Sequence, residues 1–311
     1  MKTLLPALAR PLLEPHLPPG LDLHWFATRA EAEAAIVDAD IAWVDMQNPQ
    51  DSAEVAALGA RLRWLSTMRA GIDAYDTALL RRRGTVMTNG TGLNPVAVAE
   101  YALLGILAAA KRYDEVVRIA DRHDWPTVAP GTVELAGSSA LIIGYGTIGR
   151  LIGERLAAFG VAVTGVTRSG RDGTLTPDGW KARIADYDWI VLAAPSTGET
   201  AALLGAPEFA AMKRSAWVIN MARGDMIAQP ALIEALTKHR IAGAFLDTVD
   251  PEPLPADHPL WSAPNALHSM HLSGRSQTTM FSRAATLFLE NLAAFRAGEP
   301  LRNVVDLEAG Y

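Results

Sequence analysis

Cysteine is absent from the chain, which excludes disulfides, thiolate nucleophiles and cysteine-ligated metals and fits a reducing compartment. A basic excess is missing too. With a net charge of -6 over 311 residues, the surface has no electrostatic footprint for nucleic acid or an anionic membrane, and neither is expected as a partner. No apolar run approaches the roughly 18 residues of a membrane span. The N-terminal stretch Met1 to Arg10 has an apolar run of only about seven residues, which contains Pro6 and is closed by Arg10. That is too short for a secretory signal, and a short first strand is expected instead. Low-complexity tracts and residue-level repeats are lacking. Half the residues are hydrophobic, so a soluble, cytoplasmic, two-domain globular protein is expected.

What is present alternates. Leu21–Phe26, Ile41–Val44, Trp64–Ser66 and Val86–Met87 read as strands, and Arg29–Val37, Ser52–Leu62 and Asp76–Arg82 as helices. From Val96 to Ala110 a helical pattern is apolar on almost all faces, which predicts a helix buried between layers or domains. Val161–Val166, Trp189–Ala193, Ala216–Ile219, Gly243–Leu246 and Ala266–Leu267 read as further strands, and Arg275–Ala297 as a long helix before a short extended end, Leu301–Asp306. Alternating β and α elements predict two doubly wound parallel-sheet domains. A dinucleotide domain over 97–276 is expected to be inserted into a second α/β domain made of 1–96 and 277–311.

The sharpest signal is the apolar run Leu141-Ile-Ile, which breaks into Gly144-Tyr-Gly146-Thr-Ile-Gly149 and leads into an amphipathic segment, Arg150–Phe159. A strand, a glycine turn and a helix set a pyrophosphate on a helix N-terminus. Gly144 allows the turn, Gly146 lets the backbone approach the phosphates, and Gly149 lets the helix pack on the strand. Thr147 and Ile148 complete the turn. At the end of the next strand, an NAD enzyme usually places an acid for the ribose hydroxyls. Here stand Thr167, Arg168, Ser169, Gly170 and Arg171. No carboxylate opposes a 2′-phosphate, and two guanidiniums with hydroxyls can hold it, so NADP(H) is expected over NAD(H), with NAD(H) open as the second cofactor.

Beside the nicotinamide, hydride transfer to a 2-oxo acid needs a cation to orient the carboxylate and polarise the carbonyl, and an acid for the new alkoxide. Arg223 in Asn220-Met-Ala-Arg-Gly224, Glu252 in a Pro-Glu-Pro stretch and His271 in Met270-His-Leu-Ser-Gly-Arg275 follow expected strands and supply that set. No metal is expected.

In these contexts the chain resembles the D-isomer-specific 2-hydroxyacid dehydrogenases, from about Trp64 to the C-terminus. The motifs are Asn94-x-x-x-Val98-Ala-Glu-Tyr101, Gly144 to Gly149, Asn220 to Gly224, Leu246-Asp247 with Glu252, and His271 with Gly274. The resemblance implies that Arg223 grips the substrate carboxylate and carbonyl oxygen, and that His271 is the proton donor in reduction. Glu252 bonds its other ring nitrogen and favours the protonated imidazole. It further implies that Asp247 receives the nicotinamide carboxamide, and that Val98, Ala194, Pro195, Thr200, Ala222 and Gly274 line the cofactor. Backbone N–H groups near Ala70, Gly71 and Ile72 bind the carboxylate. Arg69 in that loop and Arg275 after the histidine are departures that add positive charge to the substrate side.

NADP-type residues and a chain ending at Tyr311 look most like the glyoxylate and hydroxypyruvate reductase branch. Another 2-hydroxy acid such as phosphoglycerate stays open, as does a dinucleotide-sensing corepressor of the same superfamily. A formate dehydrogenase is disfavoured by His268-Ser-Met before His271. The apolar, proline-bearing arm Arg122–Pro130 resembles the family's intersubunit arm and implies a homodimer.

Overall fold

The computed structural model describes residues 1–275 and 279–308. It divides into one unit made of residues 1–94 and 276–311 and another of residues 95–275.

The first unit carries strands β1 (Lys2–Pro6), β2 (Asp22–Phe26), β3 (Ile41–Trp43), β4 (Trp64–Ser66) and β5 (Val86–Thr88). They form one parallel sheet in the order β2-β1-β3-β4-β5, the flavodoxin-like arrangement. Parallel neighbours need crossovers, supplied in part by α1 (Arg10–Leu13), α2 (Arg29–Ile36), α3 (Pro49–Leu58) and α4 (Thr77–Arg83). Successive side chains of a strand face opposite ways, so Leu4 and Leu5, both fully buried, join different cores. The C-terminal helix Met280–Ala297 returns to this unit, where Phe288 stacks on Trp64 with ring centroids 5.0 Å apart.

Some expected boundaries move. The helix expected over Ser52–Leu62 runs instead over Pro49–Leu58, because Asn48 Oδ1 accepts from Gln50 N at 3.0 Å, Pro49 suits the first helical position, and Gly59 follows the last turn. The helix expected from Arg275 is described only from Met280, and Arg275 N closes a turn on Leu272 O at 3.0 Å. Residues 276–278, and with them the expected domain boundary at 276/277, lie outside the described residues. The end expected to be extended makes one antiparallel bridge, Val304 to Thr88, beside turns at Arg302 and Asn303.

The second unit carries β6 (Ser139–Ile143), β7 (Ala162–Val166), β8 (Trp189–Leu192), β9 (Trp217–Asn220), β10 (Gly243–Leu246) and β11 (Ala266–His268). Its helices are α5 (Pro95–Lys111), α6 (Tyr113–Asp121), α7 (Thr147–Ala158), α8 (Pro177–Lys181), α9 (Ala206–Ala211) and α10 (Gln229–Thr237). The sheet is parallel, in the order β11-β10-β9-β8-β6-β7. From β6 the chain steps outward to β7 and then crosses back to β8, so a topological switch point lies between β6 and β8, where such sheets bind ligands. A position beyond β7 is reduced to a single parallel bridge, Leu175 to Val166. Leu141 and Ile143 face one core and Ile142 the other. The nearly all-apolar α5 packs so closely that a Cβ on Gly105 would lie 2.5 Å from the Phe245 ring. Among the described residues no helix is long and apolar enough to cross a membrane.

Candidate active site

At the switch point, the glycine turn has the geometry that a dinucleotide needs. Gly144 has φ +98°, and a Cβ there would lie 2.3 Å from Ala194 N, so only glycine lets the turn pass under the loop after β8. A Cβ on Gly149 would lie 2.2 Å from Gly144 O, whereas one on Gly146 meets nothing within 4 Å. Gly146 therefore faces open space. As the N-cap of α7 it has no side chain, so the first-turn donors remain for an anion. The helix begins at Thr147, three residues before the expected Arg150, which brings its positive end to the turn.

Beyond β7, Thr167 Oγ1 lies 2.7 Å from Thr174 Oγ1, and Thr174 Oγ1 donates to Arg171 O at 2.6 Å. These bonds close a compact loop in which Gly170, Asp172 and Gly173 are left-handed. Ser169 and Arg171 are exposed. Arg168 Nη2 lies 3.3 Å from Glu199 Oε2, with both side chains largely exposed. Such a pair contributes little, so Arg168 is cheaply redirected to a stronger anion. In the loop after β8, Thr200 Oγ1 donates to Pro195 O at 2.8 Å within the loop, and Ser196 Oγ donates to Asp225 Oδ2, in the loop after β9, at 2.6 Å.

Three adjacent strands, β9, β10 and β11, bring Arg223, Glu252 and His271 from their carboxyl ends. After β9, Asn220 Nδ2 donates to Arg223 O at 2.8 Å, and a Cβ on Gly224 would lie 2.0 Å from the Val249 carbonyl carbon. The arginine loop is thus pressed onto the loop after β10. Arg223 is half-buried, with Nη1 donating to Ala222 O at 2.8 Å. After β10, Glu252 Oε2 lies 2.7 Å from His271 Nδ1, and Glu252 Oε1 accepts from Val249 N at 3.1 Å. Burial pushes the Glu252 carboxyl up, but the bond to His271, the His271 charge, the Val249 N–H and the Arg223 charge outweigh it and hold the group below the usual carboxylate range.

Asp247 fixes the histidine loop after β11. Its Oδ1 accepts from Ser269 Oγ at 2.7 Å, Leu272 N at 3.0 Å and Ser273 N at 3.2 Å, and its backbone O accepts from His271 N at 2.6 Å. Met270 and His271 sit in the left-handed region at φ 52° and 54°, which these bonds make tolerable. Asp247 Oδ2 is buried and has no hydrogen-bond partner among the described residues. An acceptor left without a donor beside the histidine loop suits an incoming amide N–H. With the open face at Gly146, it fits a nicotinamide dinucleotide. A Cβ on Gly274 would meet nothing within 4 Å, and Arg275 is exposed. Val98 lies on the first turn of α5, buried in the core that also holds Ile219.

Arg69, Ala70, Gly71 and Ile72 belong to the first unit. Arg69 Nη2 donates to Met46 O at 2.7 Å and Gln47 O at 3.1 Å. Ile72 packs its side chain in the core, and among the described residues no acceptor takes the N–H groups of Ala70, Gly71 or Ile72. Sequence reasoning passed over Asp45, Glu199 and Ser269. A carboxylate ending the apolar strand Ile41-Ala-Trp-Val was the available signal for Asp45, whereas nothing local marks Ser269 or Glu199, whose partners are remote in sequence.

Comparison with known proteins agrees with this geometry. Residues 103–273 match the family model described as D-isomer specific 2-hydroxyacid dehydrogenase, NAD binding domain. A glyoxylate reductase from Aeropyrum pernix is 33% identical over 260 residues, covering 80% of this chain and 77% of that protein. A D-isomer specific 2-hydroxyacid dehydrogenase family protein from Aeromonas salmonicida is 29% identical and superimposes with a TM-score of 0.87 over 98% of this chain and 99% of that one. An NADPH-dependent glyoxylate/hydroxypyruvate reductase from Sinorhizobium meliloti, in complex with NADP, shares the fold at 24% identity and a TM-score of 0.82, covering 100% of this chain and 99% of that one. The chain belongs to the D-isomer-specific 2-hydroxyacid dehydrogenase family. It is an NAD(P)-dependent oxidoreductase, nearest to the glyoxylate reductase branch.

Proposed function

We propose that the protein reduces a small 2-oxo acid, glyoxylate or hydroxypyruvate, to the 2-hydroxy acid with NADPH. The observation that carries this reading is the 2.7 Å Glu252–His271 pair, set with Arg223 on three adjacent strand ends of the sheet whose switch point holds the glycine turn. The bound cofactor supplies a hydride to the carbonyl carbon. Arg223 orients the carboxylate and polarises the carbonyl oxygen, while His271 Nε2 holds the proton for the developing alkoxide and Glu252 keeps the ring oriented. The N–H groups of Ala70, Gly71 and Ile72 take the substrate carboxylate. Residues 1–96 and 277–311 then form the substrate domain and 97–276 the cofactor domain.

Solved proteins of this fold hold NAD as well as NADP, so the choice falls to the loop after β7. Arg168, Ser169 and Arg171 offer two cations and a hydroxyl to a 2′-phosphate, for which Arg168 would leave its exposed partner Glu199. Asp247 Oδ2 receives the carboxamide. Mixing the protein with NADPH and either 2-oxo acid and following nicotinamide absorbance tests the reading, and no turnover with any small 2-oxo acid would overturn it.

A homodimer is part of the proposal. No residue of α6 is buried, and Tyr113, Val116, Val117 and Trp125, the last 95% exposed, give α6 and the arm after it an apolar surface that a second copy would cover. Sedimentation at micromolar concentration should give twice the monomer mass, and a monomer refutes this part alone.

A further inference from the structure

Within the first unit, the loop after β4 is held by a carboxylate with no assigned role. Asp45, just past β3, has a side chain only 6% exposed. Its Oδ2 accepts from Trp43 Nε1 at 2.6 Å and Met68 N at 2.5 Å, its Oδ1 accepts from Thr67 Oγ1 at 2.6 Å, and Arg69 Nε lies 3.8 Å away. Burial pushes this carboxyl up, against the Met68 N–H, the Thr67 hydroxyl, the Trp43 N–H and the Arg69 charge. Burying a carboxylate is costly, and an apolar residue would serve the core better. Apart from Trp43, its own strand neighbour, each of these groups belongs to Thr67–Arg69.

The far side of the loop is fixed as firmly. Gly90 N donates to Arg69 O at 2.8 Å, Asn89 Nδ2 donates to Ala70 O at 2.9 Å, and a Cβ on Gly90 would lie 1.9 Å from Met68 O. Thr67 Oγ1 also accepts from Arg69 N at 3.1 Å. Asp45 grips the loop at residues 67 and 68 while Asn89 and Gly90 hold its carbonyls. The next three N–H groups, those of Ala70, Gly71 and Ile72, are left as donors in a fixed arrangement. Arg69 is spent on the same task, its guanidinium tied to Met46 O, Gln47 O and the Asp45 side.

We infer that Asp45 is a positioning residue for the 2-oxo acid: without touching substrate, it sets carboxylate affinity by clamping the Thr67–Ile72 loop and the Arg69 guanidinium. This rests on the role proposed above for the Ala70–Ile72 donors. A preorganised anion site loses affinity when its donors become mobile, whereas the cofactor is held by other elements. Asparagine keeps the size of Asp45 but turns an NH2 toward at least one of the donors and removes the charge facing Arg69.

The test uses the full chain with Asp45→Asn and, should that variant fold poorly, Thr67→Val, which deletes the bond to Asp45 and the acceptor of Arg69 N while leaving the other bonds to Asp45. The expected result is a five- to twentyfold rise in the glyoxylate or hydroxypyruvate KM with the NADPH KM within twofold of wild type, and a smaller rise in the same direction for Thr67→Val. Calorimetry with oxalate, a carboxylate that does not turn over, should show a matching loss of affinity in the presence of NADP+. An unchanged or lower 2-oxo acid KM in both variants, or equal rises in both Michaelis constants, overturns the inference. If the wild type does not turn over but binds oxalate in a way that Asp45→Asn weakens, the reductase reading falls and the clamp stands. Failure of the wild type to bind oxalate overturns both.

Discussion

The loops that follow β9 to β11 and the loop that follows β7, a few strands apart in one sheet, are built in opposite ways. At β9 to β11, Arg223, Glu252 and His271 sit on loops locked by hydrogen bonds and close packing: Asn220 onto Arg223 O, Gly224 against Val249, and Asp247 onto four groups of the histidine loop. Beyond β7, the loop is closed by two threonine hydroxyls, and its arginines reach out from an exposed surface. On the proposed function, the first end sets a reaction, which fails when a donor is displaced by a fraction of an ångström. On the same proposal, the second sets a preference between two cofactors that differ by one phosphate, for which exposed side chains suffice.

The contrast fixes the order of mutational effects. Arg223→Ala should cost the most, at least ~3 kcal/mol of transition-state stabilisation, about a hundredfold or more in kcat/KM, because a bidentate contact that polarises the carbonyl is lost. NADPH binding should survive, and kinetics within threefold of wild type would contradict the placement of Arg223 at the substrate. His271→Asn should likewise abolish reduction while fluorescence titration still shows NADPH binding.

Next in size is cofactor choice. NADPH should exceed NADH in kcat/KM by at least about tenfold, since one charge-assisted phosphate contact contributes ~1.5–3 kcal/mol. Thr167→Asp should reverse the ratio by repelling the phosphate and offering the ribose an acceptor. Arg168→Ala should erode the ratio through the NADPH KM. Equal efficiency with both cofactors in the wild type would withdraw NADPH while leaving the dehydrogenase intact.

The smallest expected change lies along the pH axis. Against its burial, the bond to His271 and the Val249 N–H hold the Glu252 carboxyl below the usual carboxylate range, so the ionised partner is present above that lowered value and lost as pH falls through it. Glu252→Gln should remove this acid-side limb from the profile of reduction. A superimposable pH profile would remove Glu252 from its role as the histidine's partner.

Much of this was legible in the chain because the signals were local. Gly144, Gly146 and Gly149 stand within six residues; Gly144 and Gly149 each turned out to have a distinct steric reason, and Gly146 faces open space. Strands such as Trp64–Ser66 and Gly243–Leu246 fall where the apolar runs do. What could not be read depends on partners far apart in sequence. Asp45 meets Thr67 and Met68 only because β3 pairs with β4. Asp247 was expected to face the cofactor alone, yet its other oxygen organises residues 269–273, a task visible only once β10 and β11 are paired. The start of α3 at Pro49 was missed for a different reason, since Asn48 caps it ahead of the apolar periodicity.

The left-handed backbone at Met270 and His271 bears on how this enzyme can be altered without being rebuilt. Among residues with a side chain, asparagine enters that region with the least penalty and alanine does so at a cost. An alanine at position 271 therefore changes two things at once, the imidazole and the ease with which the loop keeps its shape. Asparagine removes the imidazole and leaves the main chain content. A neutral shape-keeping variant of the histidine thus has one good side chain, and an evolutionary route away from reduction toward mere cofactor binding would pass most easily through the same substitution.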